Sequence, residues 1–552
     1  MKWIYGKQDW KTFERGQENC YLMTNGLGGF SSMTMTGSAT RNDHAFLMAC
    51  MKAPNNRYNV IHRLAEKIET EGKGYSLSSQ EFADGTREEG YRNLSAFSYD
   101  ACDGRRSTGS AKAGCRICAV IKAGEYREIS VVFSVSGAAE RLPAPGTAGE
   151  IIRGQKEYCR ELGDRAGFSS DMAECLAKSA SQFIAEREST GGDTILAGFP
   201  FFEDWGRDTM IALPGICLST RRYDEAKSIL RTFARYEKEG LMPNLFPEGG
   251  KEPMYNTVDA ALLFINCVWL YYEATKDLAF VEEMYPVMER ILDGYRKGTR
   301  FGIHMAQDGL ITAGDGLDQV TWMDVRVGEI LPTPRHGKPV EVNAYWYNAL
   351  RIMAEFSRKR DGDGTGYGTL AEKVKKSFTE AFWMEEKHCL KDVISGTDAD
   401  MQIRCNQIWA VSMPFTMLDP EREQQVVDTV FEKLYTPYGL RTLSQDDPQF
   451  RPSYGGEVLE RDLAYHQGTV WVYPLGAYYL ARLKVNGDSE ETKEEVKAQL
   501  EVMESALREG CIGQLPEIYD GENPVSSKGC FAQAWSVGEI LRVYERLEKV
   551  SE

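Results

Sequence analysis

Hydrophobic and polar residues alternate with two different periods along this chain. In residues 117–121 and 129–135 apolar positions alternate with other ones, and a turn sequence at 123–125 separates the two stretches. A period of two places apolar side chains on one face of a strand, so we predict the two strands of a β-hairpin here. This pattern, with the turn signals around it, predicts a β-rich domain over residues 1–140.

A helical period begins at residue 171. In residues 226–233 and 284–295, for example, apolar side chains recur every three or four positions, which is the spacing of one helix face. Such stripes continue toward the end of the sequence, so we predict one α-rich domain over residues 171–552, in which paired helices share a core. Residues 141–170 are rich in Pro, Gly and charged side chains, and we predict a linker there.

Composition and charge narrow the class of protein. The sequence is 42% hydrophobic and 11% aromatic, which suffices for a large core and excludes a disordered chain. The formal net charge of −17, from 65 Lys and Arg against 82 Asp and Glu, argues against nucleic acid or an anionic membrane as the partner. Many soluble proteins are acidic, so the charge by itself indicates no substrate.

The sequence also bears on location and on metals. The N-terminal residues lack the apolar stretch of a signal peptide, and the longest apolar run, 260–272, is too short to span a membrane. The 13 Cys residues are scattered without a disulfide framework, which favours reduced thiols and a cytoplasmic location. The six His residues show no ligand spacing, so we predict no metal site and no cofactor. The sequence indicates no oligomeric state.

Polar and aromatic residues are concentrated in four loops between predicted helices, namely 197–209, 318–328, 461–471 and 512–521. In the first loop, Arg207 and Asp208 follow Trp205. An aromatic ring gives a sugar an apolar face to stack on, and an Arg–Asp pair offers donors and acceptors for neighbouring hydroxyls. A helix N-terminus with an ion pair would use the same residues, and their spacing does not decide between the two interpretations.

Two of these loops carry candidate catalytic carboxyls, Asp324 behind Trp322 and Glu517 behind a Pro. Glycoside hydrolysis needs one protonated carboxyl for the leaving oxygen and one ionised carboxyl for the water, roughly 6.5–9.5 Å apart when the anomeric carbon inverts. Burial beside Trp322 would raise the pKa of Asp324 and suit it to the acid role. With 82 acidic residues in the chain, composition alone does not select this pair.

A family resemblance does select it. The segments FFEDWGRDTMIALPG (201–215), TWMD (321–324), YHQGTVW (465–471) and GQLPEIYDG (513–521) resemble the glucosidase half of glycogen debranching enzyme, the amylo-α-1,6-glucosidase family. They occur in the family's order, and the likeness spans roughly residues 195–545. Residues 21–49 resemble the family's N-terminal β-domain, although the segment between about 100 and 129 is shorter than in that domain.

The resemblance implies a fold and a reaction. The fold is mainly α, an (α/α)6 barrel with its active site in loops at one end, preceded by a shortened N-terminal β-rich domain. The reaction is inverting hydrolysis of an α-1,6-linked terminal glucose of an α-glucan or a branched gluco-oligosaccharide. Asp324 matches the family's general acid, Glu517 its general base, and Arg207 and Asp208 the pair that holds glucose hydroxyls. Further matches to loop positions that line the glucose pocket are Trp205, Trp322, Tyr255, Asn256, Asp259, His466, Gln467 and Trp471.

Several alternatives remain open from the sequence. His466 lies beside aromatic residues and is also consistent with a core histidine. Because the chain has no room for a glucanotransferase domain, we expect it to act on branches already trimmed to one glucose. A glucosidase of the same barrel with α-1,4 or trehalose specificity would use the same residues. A catalytically inactive glucan-binding protein is the third possibility, and the presence of both Asp324 and Glu517 speaks against it.

Overall fold

The computed structural model describes strands between residues 20 and 134, and residues 147–548 apart from 188, 200, 248–251, 361, 509–510 and 525. The chain divides into two compact units. The first comprises Met1–Glu161 with Gly455–Glu457, and the second comprises Leu162–Tyr454 with Val458–Glu552. Each unit is described separately below.

The described part of the first unit is rich in antiparallel strands. They are β1 (Cys20–Thr24), β2 (Phe30–Ser38), β3 (Asp43–Cys50), β4 (Tyr75–Ser79), β5 (Tyr91–Leu94), β6 (Gly109–Ile121) and β7 (Tyr126–Ser134). One sheet has the order β1-β2-β7 and another the order β3-β6-β4, with β5 also paired to β6. His44, in the segment that resembles the family's N-terminal domain, lies in β3 opposite Val120.

The predicted β-hairpin is correct in its strands but wrong in its pairing. β6 and β7 occupy the two alternating stretches, yet β7 pairs with β2, from Phe30 opposite Ser134 to Ser38 opposite Tyr126. β6 pairs with β3 along one edge and with β4 along the other, and β5 pairs with its first residues. Because both edges of β6 are occupied, β7 has no edge of β6 to pair with. Alternation identifies strands, whereas the choice of partner depends on distant segments.

The stretch predicted as a linker contains a long helix, α1 (Thr147–Ala166). The Pro and Gly residues that suggested a loop are concentrated around its start, at 143–149, and good helix formers follow them. Leu162 and Ala166, in the last turns of α1, are buried in the second unit.

The second unit is mainly helical, as predicted. Its helices are α2 (Asp171–Ala180), α3 (Gly206–Leu213), α4 (Tyr223–Arg235), α5 (Ala260–Thr275), α6 (Leu278–Lys297), α7 (Val340–Lys359), α8 (Thr365–Phe382), α9 (Trp409–Ser412), α10 (Pro420–Leu434), α11 (Val458–Ala464), α12 (Tyr473–Val485), α13 (Glu490–Met503) and α14 (Ala534–Glu548). The stripes predicted at 226–233 and 284–295 lie in α4 and α6.

Short strands join these helices. They are β8 (Ile184–Arg187), β9 (Gly192–Ile195), β10 (Gly198–Phe199), β11 (His304–Met305), β12 (Ile311–Thr312), β13 (Lys338–Pro339), β14 (Trp383–Met384), β15 (Cys389–Leu390), β16 (Val393–Ser395), β17 (Asp398–Asp400), β18 (Tyr435–Thr436), β19 (Gly439–Arg441), β20 (Val470–Trp471), β21 (Ile518–Tyr519), β22 (Ser527–Lys528) and β23 (Ala532–Gln533). The largest sheet among them has the order β18-β19-β20-β21-β22.

Among the described helices, six pack in a closed ring. α3 contacts α5, α5 contacts α7, α7 contacts α9, α9 contacts α12, α12 contacts α14, and α14 contacts α3. Each of the helices α2, α4, α6, α8, α10 and α13 packs against one or two ring members and alternates with them along the chain. Ring helices are buried on most sides: every residue of α3 is buried, as is each one from Ala260 to Val268 in α5. The helices between them bury a single stripe, which is typical of an outer layer.

All four candidate loops lead into helices of the ring. Residues 197–209 run into the first turn of α3, and residues 318–328, 461–471 and 512–521 lie before α7, α12 and α14 in the chain. The predicted site residues therefore lie mainly in the segments that lead into ring helices.

Candidate active site

Arg207 is the centre of the first half of the site. It lies in the first turn of α3, which begins at Gly206, where a side chain would collide with the carbonyl oxygen of Pro243. Its guanidinium is 3% exposed. Nε donates to both carboxylate oxygens of Asp259 at 2.9 and 2.8 Å, and Nη1 donates to Asp324 Oδ2 at 2.9 Å. Arg207 thus connects the first loop to the loop that carries the predicted acid.

Further contacts fix this guanidinium. Nη2 donates to the carbonyl of Val320 at 3.0 Å and to the hydroxyl of Thr257 at 3.4 Å. The Thr257 hydroxyl in turn donates to Asp259, at the N-terminal end of α5. The sequence left open whether this loop binds a sugar or forms an ion pair at a helix N-terminus. Within the protein, the contacts of Arg207 are those of an ion pair. Asp259, predicted to line the pocket, lies behind Arg207 and is buried.

The side chain of Asp324 is 34% exposed. Burial raises the pKa of this carboxyl above its usual value, and the positive charge of Arg207 opposes the rise. Oδ2 accepts the hydrogen bond from Arg207. A carboxyl with one oxygen held and partial access to solvent is able to carry a proton toward a ligand.

Asp208 connects the two predicted catalytic carboxyls. Burial raises its pKa to about 8; the charge of Arg207 lowers the pKa, and those of Asp324 and Glu517 raise it. Both carboxyls are therefore close enough to Asp208 to act on its ionisation, although 193 residues separate them in sequence. The structure brings Asp208, Asp324 and Glu517 into one electrostatic cluster.

Glu517 lies next to a strand end of the five-stranded sheet and is 2% exposed. It directly precedes β21, which pairs with β20 on one side and β22 on the other. The Tyr465 hydroxyl donates a hydrogen bond to Oε1, and the backbone N–H of Cys530 donates to Oε2 at 2.8 Å. Both oxygens of the predicted base are thus held by donors.

Gly529 leaves room for this carboxylate. Its φ is +65°, a left-handed conformation that favours glycine, and a Cβ there would overlap Oε2 of Glu517. Tyr465, Gly529 and Cys530 did not emerge from the sequence as site residues. Tyr465 could have been found, because it is the first residue of the YHQG motif. No sequence pattern around Gly529 indicates contact with a residue twelve positions earlier.

The predicted tryptophans differ in their surroundings. Trp205 is half-buried at the start of α3. Trp322 and Trp471 are buried with ring centroids 5.1 Å apart, and their indole N–H groups donate to Asn406 Oδ1 at 2.7 Å and to the Tyr465 carbonyl at 2.9 Å. These two rings therefore support the site from within the core, and Trp205 has the more accessible ring for a sugar.

His466 belongs to the same aromatic cluster. Its ring lies 5.3 Å from both Trp322 and Trp471, it is buried, and within the described residues neither ring nitrogen has a hydrogen-bond partner. Burial, with the nearby charges of Arg404, Arg207 and Arg335, lowers its pKa well below the usual value, so the ring is neutral. These surroundings agree with the core alternative for His466.

The remaining predicted positions are engaged by the protein. Gln467 donates to the Pro332 carbonyl and accepts from Arg404, both at 2.7 Å. The Tyr255 hydroxyl donates to the Tyr236 carbonyl at 2.8 Å. Asn256 is half-buried, and its side-chain oxygen has no partner among the described residues, which makes it the freer of these groups for a ligand.

Comparisons with known proteins bear on what this cluster is. The family model described as amylo-α-1,6-glucosidase matches residues 178–542, more than half of the chain. The chain belongs to this family. A second model, described as glycogen debranching enzyme N terminal, matches residues 19–104. The glycogen debranching enzyme of Saccharomyces cerevisiae is 26% identical over 417 residues, which are 57% of this chain and 27% of the yeast protein.

The matched families cover both sequence resemblances, those of residues 195–545 and of residues 21–49. The match spans only about a quarter of the yeast protein, so that protein's activity is carried over only as a proposal below. Within the described residues, no group of three or more His, Cys, Asp or Glu side chains is arranged to hold a metal ion. No helix in the same part of the chain combines the length and apolar character needed to cross a bilayer.

Proposed function

We propose that this chain hydrolyses single α-1,6-linked glucose branches of glycogen-type dextrins or branched gluco-oligosaccharides, with inversion at the anomeric carbon. The observation that carries the proposal is the cluster of Asp324 and Glu517 around Asp208, which lies in the first turn of the ring helix α3. Membership of the amylo-α-1,6-glucosidase family supports the substrate class. We also propose that the fold is an (α/α)6 barrel, supported by the ring of six helices with six others alternating along the chain.

In the proposed reaction, Asp324 begins protonated and Glu517 ionised. Asp324 gives its proton to the glycosidic oxygen while the bond from that oxygen to the anomeric carbon breaks. A water molecule attacks the anomeric carbon from the opposite face, and Glu517 takes its proton as the new carbon–oxygen bond forms. The products are β-glucose and the shortened glucan, and exchange of protons with solvent restores both carboxyls.

Arg207 and Asp208 would hold the terminal glucose. Within the described residues, Arg207 directs Nε, Nη2 and one Nη1 hydrogen to the protein, so one Nη1 hydrogen remains for a sugar hydroxyl. Asp208, whose pKa is raised to about 8, is protonated at neutral pH and is able to donate as well as accept. Arg207 contacts the proposed acid, and the charges of both proposed catalytic carboxyls act on Asp208. The reacting glucose unit must sit beside the acid and the base.

The test is glucose release from a panel of substrates. A dextrin trimmed to single α-1,6 glucose stubs should release glucose, whereas maltose and trehalose should release much less. Preferential hydrolysis of maltose or trehalose would assign the chain another linkage. Binding to the dextrin without hydrolysis of any of the three would favour an inactive glucan-binding protein.

A further inference from the structure

The carboxylate of Glu517 is held by the protein at both of its oxygens. The hydroxyl of Tyr465 donates a hydrogen bond to Oε1, and the backbone N–H of Cys530 donates one to Oε2. These contacts come from different segments that the five-stranded sheet aligns, since Trp471 in β20 lies opposite Ile518 and Ile518 lies opposite Lys528 in β22. The sheet therefore fixes the base and both donors in one local frame.

Both donors favour an ionised carboxylate. A backbone N–H cannot accept a hydrogen bond, so a proton on Oε2 would displace the contact from Cys530. A proton on Oε1 would require the Tyr465 hydroxyl to turn and accept. Hydrogen bonds to the charged form of a carboxyl stabilise that form, and donors aimed at a charge in a buried site are more effective than in water.

Tyr465 itself is rigidly placed. Its ring lies 5.2 Å from that of Tyr454 and 4.9 Å from that of Trp471. Its backbone carbonyl accepts from the Trp471 indole at 2.9 Å and from the Thr469 hydroxyl at 2.6 Å. Burial and the neighbouring charge of Glu517 raise the pKa of Tyr465 well above its usual value, so the hydroxyl keeps the proton that it donates.

We propose that Tyr465 is a positioning residue of this reaction, whose hydroxyl orients Glu517 toward the attacking water and keeps it ionised. The inference rests on the proposed function, because it gives Glu517 the role of base. Tyr465 acts through Glu517 and needs no contact with the sugar. Its removal is therefore expected to slow turnover and to alter its pH dependence, with little change in KM.

Other titratable groups face this pair. They are Asp208 at the start of α3, Tyr454, the thiol of Cys530 and the imidazole of His466. Asp208, with its pKa raised to about 8, titrates on the alkaline side of neutrality, and the lowered pKa of His466 keeps that ring uncharged. On the acid side of the pH profile of kcat/KM, the loss of activity therefore reports mainly on protonation of Glu517.

The test compares Tyr465→Phe with Tyr295→Phe. Tyr295 is a buried core tyrosine whose hydroxyl donates to the Val258 carbonyl at 2.7 Å, so its variant loses a comparable buried hydrogen bond at another place. The pH profile of kcat/KM is measured on the dextrin with single α-1,6 stubs, together with kcat, KM and Tm. In Tyr465→Phe we expect kcat to fall about 10–100-fold, KM to change less than about twofold, and the acid limb to move upward by about 0.5–1 pH unit.

Tyr295→Phe should lose thermal stability but keep the kcat and the acid limb of the unmodified chain. An unshifted acid limb or an unchanged kcat in Tyr465→Phe would overturn the positioning role, and so would a loss confined to KM. Equal kcat losses in both variants would assign Tyr465 a merely structural role. No glucose release by the unmodified chain would instead overturn the proposed function, and this inference with it.

Discussion

The two proposed catalytic carboxyls lie in contrasting surroundings. Asp324 is about one-third exposed and is held through one oxygen by the charged Arg207. Glu517 is buried and is held through both oxygens by the uncharged donors Tyr465 and Cys530. The difference corresponds to the two tasks: an acid must deliver a proton outward and regain it, whereas a base must stay ionised and fixed behind one water.

The contrast also shows how one fold gives two carboxyl groups different surroundings. Asp324 depends on an ion pair with Arg207, which also pairs with Asp259. Glu517 depends on two uncharged donors and on a glycine that leaves space for its carboxylate. Substitutions on the two sides should therefore impair the reaction in different ways.

Replacing each carboxyl by its amide should separate acid from base. Asp324→Asn and Glu517→Gln should each lower kcat on the stub dextrin by at least about 10³-fold. With α-glucosyl fluoride, whose leaving group needs little protonation, Asp324→Asn should recover most of its rate and Glu517→Gln should not. Recovery in Glu517→Gln alone would reverse the two roles, and near-normal rates on the dextrin in either variant would remove that residue from catalysis.

Adding one methyl group beside the base should disturb Glu517 alone. Gly529→Ala places a Cβ against Oε2 of Glu517, so we expect kcat to fall about 100-fold with a smaller change in KM. Gly396→Ala is the matched control, because Gly396 has nearly the same φ, +61°, and no neighbour within 4 Å of a Cβ. Steady-state kinetics and Tm separate the two effects; similar kinetics in both variants would mean that the space at Gly529 is not needed by the base.

Replacing the guanidinium that holds the acid should affect binding and turnover together. Lysine cannot reproduce the fork by which Arg207 contacts Asp259 and Asp324, so Arg207→Lys should raise KM and lower kcat, for a combined loss of about 10–100-fold in kcat/KM. Arg542→Lys, which weakens the pair with the buried Glu539, should lower Tm without this kinetic effect. Unchanged kinetics in Arg207→Lys would place Arg207 outside the glucose site.

Asp208 should limit stability at alkaline pH. Its pKa is raised from 3.8 to about 8, so the folded state binds the proton more tightly than the unfolded chain does. The free energy of unfolding therefore falls as pH rises from about 4 through 8. Asp208→Asn should raise Tm by about 2 °C at pH 8.5 and by less at pH 5, whereas the exposed Asp398→Asn should change Tm little at either pH. An equal change at both pH values would contradict the raised pKa.

Much of the fold could be predicted from local pattern. The stripes at 226–233 and 284–295 lie in helices, and the apolar run 260–272 lies in the buried helix α5. Strand pairing could not be predicted, because β7 finds its partner β2 about 100 residues away and alternation carries no record of the partner. The helix within 141–170 was missed because Pro and Gly at its start outweighed the helix-forming residues after them.

The site was predicted more unevenly. The motifs selected Asp324, Glu517 and their neighbours in the loops. A motif does not, however, distinguish a tryptophan that stacks on a sugar from one that packs in the core. In the structure Trp322 and Trp471 are buried and in contact with each other. Tyr465 and Gly529 approach Glu517 from other segments of the chain, and such contacts become visible only when the sheet that aligns these segments is known.

We propose that Asp324 and Glu517 catalyse hydrolysis of an α-1,6-linked glucose with inversion. Proton NMR of the glucose first released from the stub dextrin by the unmodified chain, with Asp324→Asn measured beside it, tests both parts of this mechanism. We predict β-glucose from the unmodified chain, followed by mutarotation, and almost none from the variant. Release of α-glucose, or equal release by the variant, would contradict this mechanism.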